Sequence, residues 1–214
     1  MIPPRLLTEF LGTFFLVLVI GLAVAFAGTL APVVIGLALA VLVYMGGHVS
    51  GAQYNPAVSI GLWLRGTHDL RRAASCIIAQ IAGGLLGALL SKLLTNAPMN
   101  VQPAVGASLS AVLAVEVIFT FLLVLVVLNV ATHPKTTGNS YYGFAIGGAV
   151  LVGAFAGGPI SGGAFNPAVG LCPAIVSMVT GQGAGFGQAW VYLVGPIVGS
   201  ALAVAVFKAQ LKGD

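Results

Sequence analysis

The sequence predicts an all-α membrane protein, with six transmembrane helices plus two re-entrant half-helices built as an inverted repeat. Three observations predict it. Hydrophobic residues make up 59% of the chain and charged residues 6%, with a mean hydropathy of +1.10. A soluble domain carries about a quarter charged residues, so a soluble reading would leave the surface short of polar groups. Six segments reach the roughly 20 apolar residues that a helix needs to cross a bilayer. Finally, the nine-residue segments 50–58 and 161–169 both read S-G-x-x-x-N-P-A-V.

The elements follow in order. The first span, 6–27, opens on Glu9 in the context E-F-L-G-T-F-F-L-V. It continues past signal-peptide length without a cleavage-like end, so no cleavable leader is expected. The second span, 32–49, leads through His48 into the first repeat segment. There Asn55 stands directly before Pro56, a helix start with Asn as N-cap and Pro at the first helical position. The apolar stretch behind it, 56–64, is too short to cross and reads as a half-helix in a re-entrant loop. Irregular backbone at membrane depth is tolerated only where protein buries it or it lines a wet cavity. The third span, 72–94, completes the first unit.

The second unit repeats this order. The fourth span, 109–130, carries Glu116 in the similar context E-V-I-F-T-F-L-L-V, and the fifth, 141–158, leads to Asn166 and Pro167. A second half-helix, 167–179, precedes the sixth span, 188–207. With three spans per unit, the second copy enters the membrane upside down relative to the first. The chain reads as one transmembrane domain, 1–214, of two units at about 1–100 and 101–214. Glycines four apart in the third span (Gly83, Gly87), the fifth (Gly143, Gly147) and the sixth (Gly195, Gly199) let helices approach closely in lipid.

Charge placement sets the orientation. With both termini in the cytoplasm, Arg5, Arg65, Arg71, Arg72, Lys135, Lys208 and Lys212 fall inside and only Lys92 outside, as the positive-inside rule requires. The expectation is a multi-pass protein of the cell (inner) membrane, partnered by the lipid bilayer. So few cations exclude nucleic-acid binding, which needs them clustered on one face. Cys76 and Cys172 are isolated in apolar or Gly/Pro-rich context and read as small buried hydrophobes, with a solvent-reachable Cys172, close after the second Asn-Pro start, as the alternative. No catalytic residue, metal site or cofactor is expected, because Ser50 near His48 has a duplicate, Ser161, without any histidine.

The duplicated Asn-Pro-Ala boxes (Asn55, Pro56, Ala57 and Asn166, Pro167, Ala168), the paired Glu9 and Glu116, and His48 before the first box resemble the aquaporin, or major intrinsic protein, family. The resemblance covers essentially the whole chain. It implies an hourglass fold, one pore per subunit and a homotetramer. It also implies that Glu9 and Glu116 brace the re-entrant loops and that His48 lines the inner vestibule. The chemistry of the boxes agrees. Two half-helices meeting near the midplane put two positive dipole ends in the pore, and the capping Asn55 and Asn166 keep amide donors free for a passing oxygen. Cations meet those dipoles and a dehydration cost.

In the family, four positions form the narrowest outer part of the pore. Counting from the boxes places them at Ile35, Ala154, Gly163 and Val169. The resemblance breaks here: an aromatic, a histidine and, after the second box, an arginine are the usual occupants. Val169 in the arginine's place removes a fixed charge and several N–H donors. The expected filter is wide, apolar and uncharged. It implies small neutral solutes: water together with glycerol-like polyols, urea, ammonia or metalloid hydroxides such as arsenous acid. The run ahead of the second box, G-P-I-S-G-G-A-F-N-P-A, resembles the nodulin-26-like branch, while Tyr192-Leu193 and Gly170 give mixed signals between water channels and glycerol facilitators. Alternatives are a water-selective channel, a channel leaky to cations without the arginine, and a gradient-coupled transporter with Glu9 or Glu116 as its proton or ion site.

Overall fold

Proline or a polar N-cap opens most of the helices, so local chemistry marks the start of each element. A computed structural model describes residues 2–99, 101–181 and 186–212. Eight α-helices make up the described fold: α1 Pro4–Phe26, α2 Ala31–Ser50, α3 Pro56–Arg65, α4 Leu70–Thr95, α5 Leu109–Thr132, α6 Tyr142–Ser161, α7 Pro167–Val179 and α8 Val191–Lys212. Six are long and apolar enough to cross a membrane, and the two that follow the boxes, α3 and α7, are the half-helices. The all-α inverted repeat read from the sequence is the fold observed.

Most span boundaries shift from the sequence reading, and four of the shifted ends have a clear local cause. Helix α1 starts at Pro4, since a missing N–H costs nothing in the first turn. Helix α4 starts at Leu70 because the Asp69 carboxylate accepts from Arg72 N at 2.6 Å and caps it. Helix α6 runs through Pro159 to Ser161, the proline falling in the last turn where little helix remains to break. The sixth span starts at Val191, since Phe186–Gln188 is a 3-10 turn.

Packing follows the repeat. In the first half α1 lies against α4, and in the second α5 lies against α8; α2 and α6 pair across the halves. Each half-helix rests on the last span of the other half, α3 on α8 and α7 on α4. The glycine pairs explain the closest approaches. A Cβ on Gly83 would lie 2.2 Å from Phe10 O and one on Gly87 2.5 Å from Phe14 O. The equivalent glycines repeat this, with Gly195 2.6 Å from Glu116 Cβ and Gly199 2.4 Å from Val117 O. Between halves, a Cβ on Gly147 would meet Gly36 O at 2.3 Å. Lipid offers no hydrophobic drive to helix association, so this close backbone contact is what holds the bundle.

Candidate pore and its supports

Both boxes behave as helix starts. The Oδ1 atoms of Asn55 and Asn166 accept from Ala57 N and Ala168 N, each at 2.9 Å, with Pro56 and Pro167 at the first helical position. Both alanines are fully buried, and Ala57 O accepts from Ser200 Oγ at 2.8 Å. The free amides differ from the sequence expectation. Asn55 Nδ2 donates to Phe165 O and Asn166 Nδ2 to Tyr54 O, each at 2.9 Å. Each box is thus tied reciprocally to the loop of the other half. An amide nitrogen has two N–H groups, so one of each pair is spent on this crossed tie and one is left. The positive ends of α3 and α7 are thereby brought face to face.

The loops ahead of the boxes hang on the two buried glutamates. Glu9 accepts from Ser50 Oγ (2.6 Å), Gln53 N (3.0 Å), Tyr54 N (2.8 Å) and Gln80 Nε2 (2.8 Å). Glu116 accepts from Ser161 Oγ (2.8 Å), Ala164 N (3.1 Å) and Phe165 N (2.8 Å). Peptides are planar and trans. An N–H turned to the carboxylate therefore turns the preceding carbonyl away from it, and this applies to Ala52, Gln53, Gly163 and Ala164. The geometry requires left-handed backbone: φ is +47° at Ala52, +49° at Tyr54 and +48° at Phe165, with Gly163 at +68°. Such conformations in residues with a Cβ cost about 1–3 kcal/mol each and persist only where surrounding bonds over-determine them.

Ile35 from α2, Ala154 from α6, Gly163 from the loop and Val169 from the first turn of α7 border one cavity of about 250 Å³, together with Asn55 and Asn166. No Asp, Glu, Lys or Arg lies among its described lining residues. His48, exposed in the last turn of α2, borders a second cavity of about 390 Å³ with His133, Thr136 and Asn139. The two cavities share Ala52, Val127 and Ile146, so they adjoin beside the first loop. Glu9 and Glu116 border neither. Cys172 is fully buried, with its thiol 3.6 Å from Ile81 O, so the solvent-reachable alternative does not hold.

Several supports escaped sequence reasoning. Gln80, the one amide side chain in the third span, donates to Glu9 and to Ser59 Oγ (2.9 Å). In the repeat register, Tyr192 stands three residues before Gly195 as Gln80 does before Gly83, and Gly170 stands four residues after Asn166 as Ser59 does after Asn55. Tyr192 is buried, with its hydroxyl on Ser161 O. Its Cβ lies where a side chain on Gly170 would begin, 2.2 Å from an added Cβ. Small-against-large in one half replaces polar-against-polar in the other, which explains Gly170 without reference to any solute. Met99 and Val101, from the α4–α5 connection, also border the first cavity.

Comparison with known proteins agrees with this geometry. The family model described as Major intrinsic protein matches residues 4–207. Aquaporin NIP1-4 of Oryza sativa subsp. japonica is 35% identical over 98% of this chain and 78% of its own length. Aquaporin TIP2-3 of Arabidopsis thaliana is 36% identical over 94% of this chain and 84% of its own. The X-ray structure of the aquaglyceroporin from Plasmodium falciparum superposes with a TM-score of 0.85 at 26% identity, covering 95% of this chain and 94% of that one. Members of the matched family are channels rather than enzymes. The chain therefore belongs to the major intrinsic protein family, the aquaporins, as an integral multi-pass membrane channel for water and small solutes.

Proposed function

We propose that this channel passes small neutral solutes larger than water as well as water itself, through a wide uncharged filter of Ile35, Ala154, Gly163 and Val169. Glycerol-like polyols, urea, ammonia and undissociated metalloid hydroxides such as arsenous acid fit that description. The observation that carries the reading is the cavity of about 250 Å³ in which all four positions meet both box asparagines with no charged side chain. A solute entering it exchanges hydration for contacts with Ile35 and Val169, which favours molecules carrying some apolar surface. Deeper in, the carbonyls of Ala52, Gln53, Gly163 and Ala164 and the remaining N–H of Asn55 and Asn166 replace the lost water bonds. Cations are opposed by the facing dipoles of α3 and α7 and by dehydration.

In this reading Glu9 and Glu116 brace the two loops and carry no coupling ion. Their carboxylates are enclosed by loop donors and lie outside both cavities. His48 lines the cytoplasmic vestibule, both termini are cytoplasmic, and the 1–214 domain of two units assembles as a homotetramer in the cell membrane. Stopped-flow swelling of proteoliposomes with water, glycerol, urea and arsenite, with conductance in parallel, tests it. Uptake of at least one of the larger solutes without measurable ion current is expected. Water flux alone would favour the water-selective alternative, and flux that needs a proton or sodium gradient would favour a transporter.

A further inference from the structure

On the face that carries both termini, four nitrogens are closed off from solvent yet have no hydrogen-bond partner among the described residues: Arg65 Nε, whose guanidinium lies 5.0 Å over the Phe207 ring, and a group of three, Arg5 Nε, His68 Nδ1 and Arg72 Nε. The three come from separate stretches, namely the first turn of α1, the α3–α4 connection and the first turn of α4. Fold contacts set the places of two of them. Arg72 Nη2 donates to Ser50 O at 3.2 Å, and His68 N donates to Leu62 O at 3.3 Å. Both guanidinium groups act on the His68 imidazole, which burial first, then Arg72 and Arg5, push down to about 4 against an opposing pull from Asp69. Asp69 is the acid beside them, and its Oδ1 is engaged as the cap of α4 at 2.6 Å from Arg72 N.

Membrane topology does not explain this cluster. A positive-inside signal needs only charge at the surface, which exposed Arg71 supplies. Two half-buried guanidinium groups with idle Nε–H donors, beside an imidazole and the single Asp69 carboxylate, leave an excess of positive charge and donor capacity unused. A planar guanidinium is matched in geometry by the oxygens of a phosphate group, which take its N–H groups in pairs. Arg72 stands in the first turn of α4, where the helix dipole also favours an anion.

We infer that Arg5, His68 and Arg72 form a binding site for a phosphate-bearing anion on the terminus-bearing face of the channel. The chemistry is shared by an anionic phospholipid headgroup of the adjoining leaflet and by soluble phosphate. To bind there, the anion draws the two guanidinium groups outward, so that their idle Nε–H groups and an N–H from His68 Nδ1 turn onto its oxygens. It also offsets the two positive charges that add to burial in keeping the imidazole neutral, so binding is coupled to proton uptake on His68 and tightens as pH falls.

The test uses the full chain, labelled at histidine, in nanodiscs, with His68 identified by His68→Gln and its titration followed by NMR. One arm adds inorganic phosphate to phosphatidylcholine discs, with chloride at matched ionic strength as control. The other arm replaces part of the phosphatidylcholine with phosphatidylglycerol and adds no phosphate. An upward move of the His68 titration by about one pH unit is expected in at least one arm. A move with phosphate assigns the soluble anion, and a move with phosphatidylglycerol alone assigns the headgroup. Arg5→Gln is expected to raise the anion concentration needed about tenfold, while Arg71→Gln leaves it unchanged. Undisturbed His48 and His133 resonances in Arg5→Gln show that the fold is intact. No move in either arm, or an equal loss with Arg71→Gln, overturns the inference.

Discussion

Replacing Glu9 probes whether the first loop is held by its carboxylate. Oε1 serves Ser50 Oγ and Gln53 N; Oε2 serves Tyr54 N and Gln80 Nε2. In Glu9→Gln one oxygen becomes an NH₂ group facing donors. Gln80 can turn its amide, since Ser59 Oγ lies within 3.3 Å of its Oε1 and accepts or donates equally well. Tyr54 N, in a fully buried residue, has no such escape. One orphaned buried N–H costs about 1–3 kcal/mol. In Glu9→Leu both Gln53 N and Tyr54 N are orphaned, for a loss of about 2–6 kcal/mol. Removing the buried charge returns little, because four donors at 2.6–3.0 Å already offset its desolvation. Equilibrium unfolding in SDS mixed micelles, followed by Trp fluorescence, reads the order: wild type above Glu9→Gln above Glu9→Leu. Trp63, on α3 itself, makes the signal sensitive to the half-helix. Glu116→Gln and Glu116→Leu should repeat the series, since Ala164 N and Phe165 N hold the matching places. A Glu9→Leu channel as stable as wild type would refute the reasoning.

Three further outcomes are expected. Gly83→Ala, which sets a Cβ 2.2 Å from the Phe10 carbonyl oxygen, should cost about 1–3 kcal/mol in the same unfolding assay. Gly148→Ala, with nothing within 4 Å, should be neutral or better, and equal effects would contradict the helix-contact account. Gly170→Ser should destabilise alone by a similar amount and be partly rescued by Tyr192→Gln, which rebuilds the Ser59–Gln80 pairing of the first half; strict additivity in the double-mutant cycle would argue against that pairing. Because His68 is held at about 4 against an ordinary 6.5, the unfolded chain binds the extra proton between those values. The stabilisation is complete above about pH 6.5 and lost as pH falls towards 4. In phosphate-free buffer and neutral lipid, His68→Gln should therefore flatten the acid loss of stability across that window, and an unchanged slope would show that His68 makes no contribution.

Much of this protein is legible in its sequence because the decisive signals are local. Asn before Pro starts a helix wherever it stands, six apolar stretches need only be counted, and paired glutamates in like contexts mark the two units. What stays hidden depends on two distant segments meeting. The crossed ties from Asn55 to Phe165 O and from Asn166 to Tyr54 O exist only because both loops arrive at the same depth. Gln80 was visible as a lone amide in an apolar span, which should prompt a search for its partner. Gly170 reads in the sequence as a mixed solute signal, whereas in the fold Tyr192 occupies the space a side chain there would need. The helix ends at Pro4, Asp69 and Pro159 shifted because terminal turns tolerate groups that helix interiors do not.

The ratio of glycerol to water permeability in Val169→Arg proteoliposomes, set against wild type, tests the uncharged-filter reading most directly. Val169 borders the cavity beside Ile35 and Gly163, so an arginine there would fill the space proposed for a polyol and add a fixed positive charge. Glycerol permeability is expected to fall about tenfold or more, equivalent to a barrier about 1.4 kcal/mol higher, with water flux much less affected. An unchanged ratio would contradict the claim that residue 169 sets the width of this pore.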